Sequence, residues 1–260
     1  MKQITEFFTP NRTWNNKAMS FAVLGWIAVM CAFWFTRSAL IPRPLEVARA
    51  FPDLLDRGLF IELFTSVCLN IEALAFTAVI SLAISYLTVL PWMRPLAGAV
   101  LKLRFLGLTG LTLFFTLATS SGHQMKLAVL VFGMTAYFVS SMTDVVANIP
   151  KVNFDYARTL RSSEWRVVWD VVIRGTRDQA IDVMRQNAAI GWMMLTMVES
   201  LVKSEGGIGT MLVIADRHKS MAPILAIQIV VLAVGLTNDF LIVRLKKLLC
   251  PYAFIKLERK

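Results

Sequence analysis

From Asn153 to Gly175 the chain reads NFDYARTLRSSEWRVVWDVVIRG, with Asp155, Arg158, Arg161, Glu164, Arg166, Asp170 and Arg174 set between two long apolar runs. Charges at helical spacing in such surroundings build a surface that another body can grip. The residues that build reaction centres are scattered. Glu72, Asp144 and Glu199 lie singly within apolar stretches, and His123 and His218 fall in turns without a carboxylate cluster beside them. Cys31, Cys68 and Cys250 lie far apart, without metal-ligand spacing. No G-x-x-x-x-G-K-[ST] phosphate loop occurs, and no Gly-Lys pair of any kind. The pattern predicts no catalytic residue, no metal site and no cofactor held by this chain.

The elements around these residues are apolar. Of 260 residues 57% are hydrophobic and 17% charged, and the mean hydropathy is +0.62, too apolar for an ordinary soluble domain. Charge-free runs of 19, 21, 21 and 19 residues occupy Ala18–Thr36, Ala73–Met93, Phe105–Met125 and Ser220–Asn238. A helix of about 20 such residues crosses the hydrocarbon core. Leu127–Thr143 adds 17 residues and Gln186–Val198 only 13. Six spans are expected, the fifth the weakest, in an all-α polytopic membrane protein that forms a single membrane domain over residues 1–260. Within it, residues 1–60 hold the first span and an outer segment, and residues 61–250 hold a core with the charged insert at 150–175. The first apolar run is longer than a signal-peptide core and no small-x-small cleavage site follows it, so it reads as a retained span.

The net charge of +10 has two readings, nucleic acid or the positive-inside bias of membrane proteins. Its distribution decides. With the N-terminus inside, 19 of the 27 basic residues fall on the cytoplasmic side, from Lys2, Arg12 and Lys17 through the insert to Lys256, Arg259 and Lys260. The others, among them Arg37, Lys126 and Lys203, fall outside. Both termini are expected in the cytoplasm, and no nucleic-acid partner is needed.

Within the insert, Asn153 is expected to cap a first short helix with Asp155 in its first turn. Ser162 or Ser163 would then cap a second. In that second helix Trp165, Val168, Trp169 and Val172 share one apolar face, and Arg166, Asp170 and Arg174 form a charged ladder. The segment IPRPLEVARAF, with Leu45, Val47, Ala48 and Phe51 on its apolar side, reads as an interfacial element on the outer side.

The insert resembles the EAA loop of permease subunits of binding-protein-dependent ABC importers, whose pattern is E-A-A-x3-G-x9-I-x-L-P. Asp155, Tyr156 and Ala157 take the E-A-A places and Arg161 the glycine, while Val171, Ile173 and Arg174 take the I, L and P. The wording DYARTLRSSEW is similar to that of the nitrate/sulfonate/taurine branch. So are IPRPLEVARAF, VESLVKSEGGIGTML with Glu199, Gly207 and Gly209, and NDFLIVRLKKLLCPY with Asp239. The family's glycines in span two are replaced by Ala73, Ser81 and Ser85, still small enough for close helix contact. Glycine to Arg161 and proline to Arg174 are departures at motif positions.

The resemblance implies an inner-membrane permease that carries a small solute and is driven by a separate cytoplasmic ATPase dimer, which would bind the ATP and magnesium. It further implies a second permease copy or paralogue and an extracytoplasmic binding protein that delivers the solute. Asp155, Tyr156, Ala157, Leu160, Arg161, Ser162 and Trp165 become the expected contacts to the ATPase. Tyr137, Asn187, Trp192 and Glu199, on the spans flanking the insert, are the expected lining of the translocation pathway. Two alternatives remain open. A non-transporting scaffold subunit is favoured by the motif departures, and a membrane-embedded enzyme would need clustered ionisable residues at bilayer depth.

Overall fold

A computed structural model describes residues 16–35, 42–202 and 205–254. Lys2, Arg12, Arg37, Lys203, Lys256, Arg259 and Lys260, counted in the charge distribution, lie outside them. All regular structure among the described residues is helical: α1 Asn16–Phe35, α2 Pro44–Asp56, α3 Leu59–Leu87, α4 Arg94–Lys102, α5 Leu108–Ala118, α6 Gly122–Ala147, α7 Lys151–Thr159, α8 Glu164–Val167, α9 Arg177–Leu201, α10 Ile208–Arg217 and α11 Met221–Leu249. The protein is an all-α polytopic membrane protein.

Three helices are long and apolar enough to cross a bilayer alone, namely α3, α6 and α11. The expected third span, about Phe105 to Thr119 before an outer turn at SSGHQ, ends where that turn was expected. Its 21-residue charge-free run is cut at Thr119–Ser121, where Ser121 accepts a hydrogen bond from the Gln124 amide and so starts α6. What remains, α5, has 11 residues and follows the Pro91–Phe105 segment at a bend of 111°, a broken span or a re-entrant pair. The bend ahead of α5 is the part that charge-free length did not reveal. Helix α9 has 25 residues, ample length, but its first nine include Arg177, Asp178, Asp182 and Arg185. Helix α1 is apolar all round, with Phe21, Trp26 and Met30 each over 70 % exposed, and its end joins the rest through Trp34, whose Nε1 donates to the Pro42 carbonyl at 3.1 Å.

The core lies where α3, α6 and α9 meet. Leu69, Ala73 and Leu74 of α3 pack with Val129, Leu130 and Met134 of α6 and with Ala188, Trp192, Leu195 and Val198 of α9. Ala73, Ser81 and Ser85 are fully buried, as close contact between α3 and α6 requires. Gly191 permits the closest approach: a Cβ there would sit 2.8 Å from Met134 Cε and 2.9 Å from Asn70 Oδ1. Helix α2 packs on the bundle through a face other than the one expected. Its buried residues are Val47, Ala50 and Leu54, which pack with Ile208 and Ala226–Ile227, while Leu45 and Ala48 are exposed.

The insert is two short helices, with its details moved. Pro150 takes the cap position of α7, so Asn153 lies inside the first turn and Asp155 beyond it. Ser163 takes the cap position of α8, but its hydroxyl accepts no capping hydrogen bond. After one α-turn the helix widens to π-winding over Val168–Arg174. Its i to i+5 hydrogen bonds put residues five apart one turn apart. Val167 and Val172 therefore form the buried face, while Trp165 and Trp169 are 69% and 53% exposed. The ladder forms as expected, with Arg166 and Arg174 at 3.7 and 3.5 Å from Asp170.

Candidate functional site

Two constellations stand at opposite ends of the bundle. The first gathers around the start of α10. A helix begins with backbone N–H groups that have no partner within it. Here side chains of other helices supply the acceptors. The Gly207 N–H donates to the Glu62 carboxylate, the Ile208 N–H to Ser66 Oγ at 2.9 Å, and the Gly209 N–H to Glu199 Oε2 at 2.8 Å. Ser66 Oγ in turn donates to Glu199 Oε1 at 2.6 Å. Thr210 Oγ1 lies 3.0 Å from both the Glu199 and Gly206 carbonyls, and Lys126 Nζ donates to Gly206 O at 2.7 Å.

Sequence forces this geometry at two glycines. Gly206 and Gly207 have φ of +67° and +107°, where an L side chain is strained. A Cβ on Gly207 would also run into the Glu199 carboxylate. Glu199 is wholly buried and Lys126 nearly so, and Lys126 lies within electrostatic reach of Glu199, Glu205 and Glu62. The arrangement is a latch. It fixes α10 against α3, α6 and α9. The sequence resemblance placed Glu199, Gly207 and Gly209 in one motif, with Glu199 expected to line the pathway, and the structure brings the three together. The resemblance missed Glu62, Ser66 and Lys126.

The other expected pathway residues are dispersed. Asn187 is buried, its Nδ2 donating to the Val183 carbonyl at 3.3 Å, and Trp192 is 6% exposed within the core. Tyr137 is half-buried and lines a cleft with Arg104, Leu108, Gly133, Met194 and Met197. Arg104 donates to Ser140 Oγ at 3.2 Å. His123 does have a carboxylate partner: its Nε2 lies 3.0 Å from Glu72 Oε2. Two ion pairs tie α9 to α11, a bidentate Arg185–Asp239 and a Lys246–Asp182 contact at 2.5 Å.

The second constellation is the insert. Arg158 bridges the turn, with Nε and Nη2 donating to the two Glu164 carboxylate oxygens at 3.0 and 3.1 Å. That bond holds the Glu164 carboxyl below its usual range and raises the Arg158 guanidinium. Between them Arg161 has φ +54°, the left-handed conformation for which glycine is suited. Outside the turn Val152, Tyr156 and Leu160 recur at i, i+4 and i+8, at 72%, 68% and 65% exposure. Trp165, on the second helix, is also exposed, and Asp155 lies 3.7 Å from Arg158. Ala157 and Ser162 are half-buried. Among the described residues no group of His, Cys, Asp and Glu could hold a metal ion.

Residues 26–249 match a family described as binding-protein-dependent transport system inner membrane component. No curated protein matches the chain.

Proposed function

The chain belongs to the inner membrane components of binding-protein-dependent transport systems, and on that premise we propose that its insert docks a cytoplasmic ATPase whose work it passes to the spans. It is then a multi-pass permease subunit of the bacterial inner membrane, with both termini in the cytoplasm. Two permease chains, identical or paralogous, enclose the pathway, and an extracytoplasmic binding protein delivers the solute. The resemblance to the nitrate/sulfonate/taurine branch points to a small polar cargo, either an anion such as nitrate or a sulfonate, or taurine or a vitamin precursor.

One observation carries the docking reading. The row Val152, Tyr156 and Leu160 is an exposed apolar face on a nine-residue helix that the Arg158–Glu164 bridge clamps to the segment feeding α9. Apolar side chains gain from leaving water, and a rigid mount lets a push on α7 reach α9. Val167 and Val172 anchor that mount by burial.

The test is Leu160→Asp. A charge buried unpaired in a contact costs a few kcal/mol, enough to abolish docking. The ATPase should no longer co-purify with the membrane subunit and uptake should cease, at unchanged expression. Retention of the ATPase by this variant would remove the docking reading and leave α7 as a surface hairpin.

A further inference from the structure

We propose that two ion pairs, Arg185–Asp239 and Asp182–Lys246, key α11 to α9, so that a displacement of the insert carries both helices as one body. The proposal rests on the docking reading above and deepens it by naming the side chains that pass the motion on.

Continuity of backbone bonding supplies the first argument. Only Gly175 and Thr176 separate the insert from α9. The Thr176 N–H donates to the Val172 carbonyl at 3.2 Å, and the Ala180 N–H to the Thr176 carbonyl at 2.8 Å. Thr176 is buried, and its hydroxyl donates to the same Val172 carbonyl at 2.6 Å. A push on the insert therefore moves the start of α9. Helix α11 follows only after α9 and α10, so the same push reaches it through side chains.

The contact between the two helices supplies the second. Arg185 donates through Nε and Nη2 to the two Asp239 oxygens, and Lys246 Nζ donates to Asp182. Ile181, next to Asp182, and Ile242, between Asp239 and Lys246, are buried in one cluster. The lower number on α9 pairs with the higher on α11, as antiparallel helices require. Each helix gives one acid and one base. The other pairing across the contact would set Arg185 against Lys246 and Asp182 against Asp239, like against like. Charge therefore fixes the register, and the bidentate arginine pair fixes orientation as well. Arg185 and Asp239 are 45% and 42% exposed, and ion pairs so exposed add little to stability. The pairs select a register more than they hold the fold. Beyond them α11, with 29 residues, rises about 43 Å. Its Ala226 and Ile227 pack with Val47, Ala50 and Leu54 of α2, at the end of the bundle where α10 is latched. Motion entering α11 at Asp239 and Lys246 is thus delivered to α2.

Spin-label distances test the proposal in the full-length protein, assembled with its ATPase and with Cys31, Cys68 and Cys250 replaced by Ala. Nitroxides are attached in pairs at Trp92→Cys, Gln179→Cys on α9 and Leu248→Cys on α11, all exposed positions. Distances are read before and after MgATP with vanadate. In the parent, Gln179 and Leu248 should shift together relative to Trp92, with the Gln179–Leu248 distance unchanged. Asp239→Arg with Lys246→Asp sets like charges at both contacts, so the Leu248 shift should be lost while the Gln179 shift stays. Adding Arg185→Asp and Asp182→Lys restores opposite charges and should restore the Leu248 shift. Asp239→Asn with Lys246→Met removes both pairs without repulsion and should also lose that shift, which decides the matter if the reversed charges prevent folding. A Leu248 shift that survives the loss of both pairs overturns the proposal, as does a Gln179–Leu248 distance that changes in the parent. No shift at Gln179 in the parent removes the docking reading, and this inference with it.

Discussion

Glu199 shows how one carboxylate can hold an outer helix in place. Both of its oxygens accept hydrogen bonds inside the protein, from Ser66 and from the Gly209 backbone. Glu199→Leu leaves that N–H and that hydroxyl buried without a partner, at about 1–3 kcal/mol for each group stranded. The variant is expected to unfold at a lower temperature in detergent and to lose uptake while still inserting into membranes. Glu199→Gln keeps an acceptor and should fall in between. A Leu variant as stable as the parent would mean that the latch does not hold α10. Arg161 carries the opposite prediction. Its φ of +54° costs a non-glycine residue about 1–2 kcal/mol, so Arg161→Gly should slow hydrogen exchange in the turn. Unchanged or faster exchange would show that the guanidinium earns its place through a contact outside this chain. The motif pairing of Glu199 with Gly207 and Gly209 was readable in the sequence because the partners are at most ten residues apart. Glu62, Ser66 and Lys126 are 80 to 145 residues from the groups they bind, and nothing in one sequence records such a meeting.

At the scale of elements, the insert joins two helices by one bidentate bridge, and that bridge titrates. The folded Glu164 carboxyl lies below its ordinary value because Arg158 hydrogen-bonds to it. A depressed carboxyl contributes above its unfolded pKa and loses that contribution as pH falls through the folded pKa. The insert should therefore be tight at neutral pH and loosen in acid as the Glu164 carboxyl takes up a proton. Glu164→Gln should speed hydrogen exchange across residues 158–168 at neutral pH and make no difference at the acid end. Equal exchange in parent and variant at pH 7 would show that the bridge is not what clamps the turn. The charged ladder was legible because i, i+4 spacing survives in either winding. The tryptophan face was not. It assumed an α-helix throughout, whereas Val168–Arg174 winds more widely and Gly175 ends it, where a Cβ would collide with the Val171 carbonyl.

For the whole molecule, the all-α class and the order of the elements were readable from hydropathy, since apolar length is what a bilayer demands. The bend between α4 and α5 was not, because tertiary packing decides whether a short helix is sheltered. Topology can be checked directly. A cytoplasmic reporter fused after Lys151 should be active and one after Glu205 silent. Activity at both would mean that α9 returns without crossing. The latch around α10 has one more consequence, for the order of synthesis. Ser66 leaves the ribosome 142 residues ahead of Ile208, and Glu199 ten ahead of Gly209. Until α10 emerges, Lys126 and Glu199 sit in the growing protein without the backbone groups that satisfy them. A polypeptide stopped at Leu201 should therefore leave both charges without these partners, and one that reaches Leu249 should satisfy them. In pulse-chase, the shorter product should disappear several times faster than the longer, and equal lifetimes would show that the cell does not read the unfinished latch.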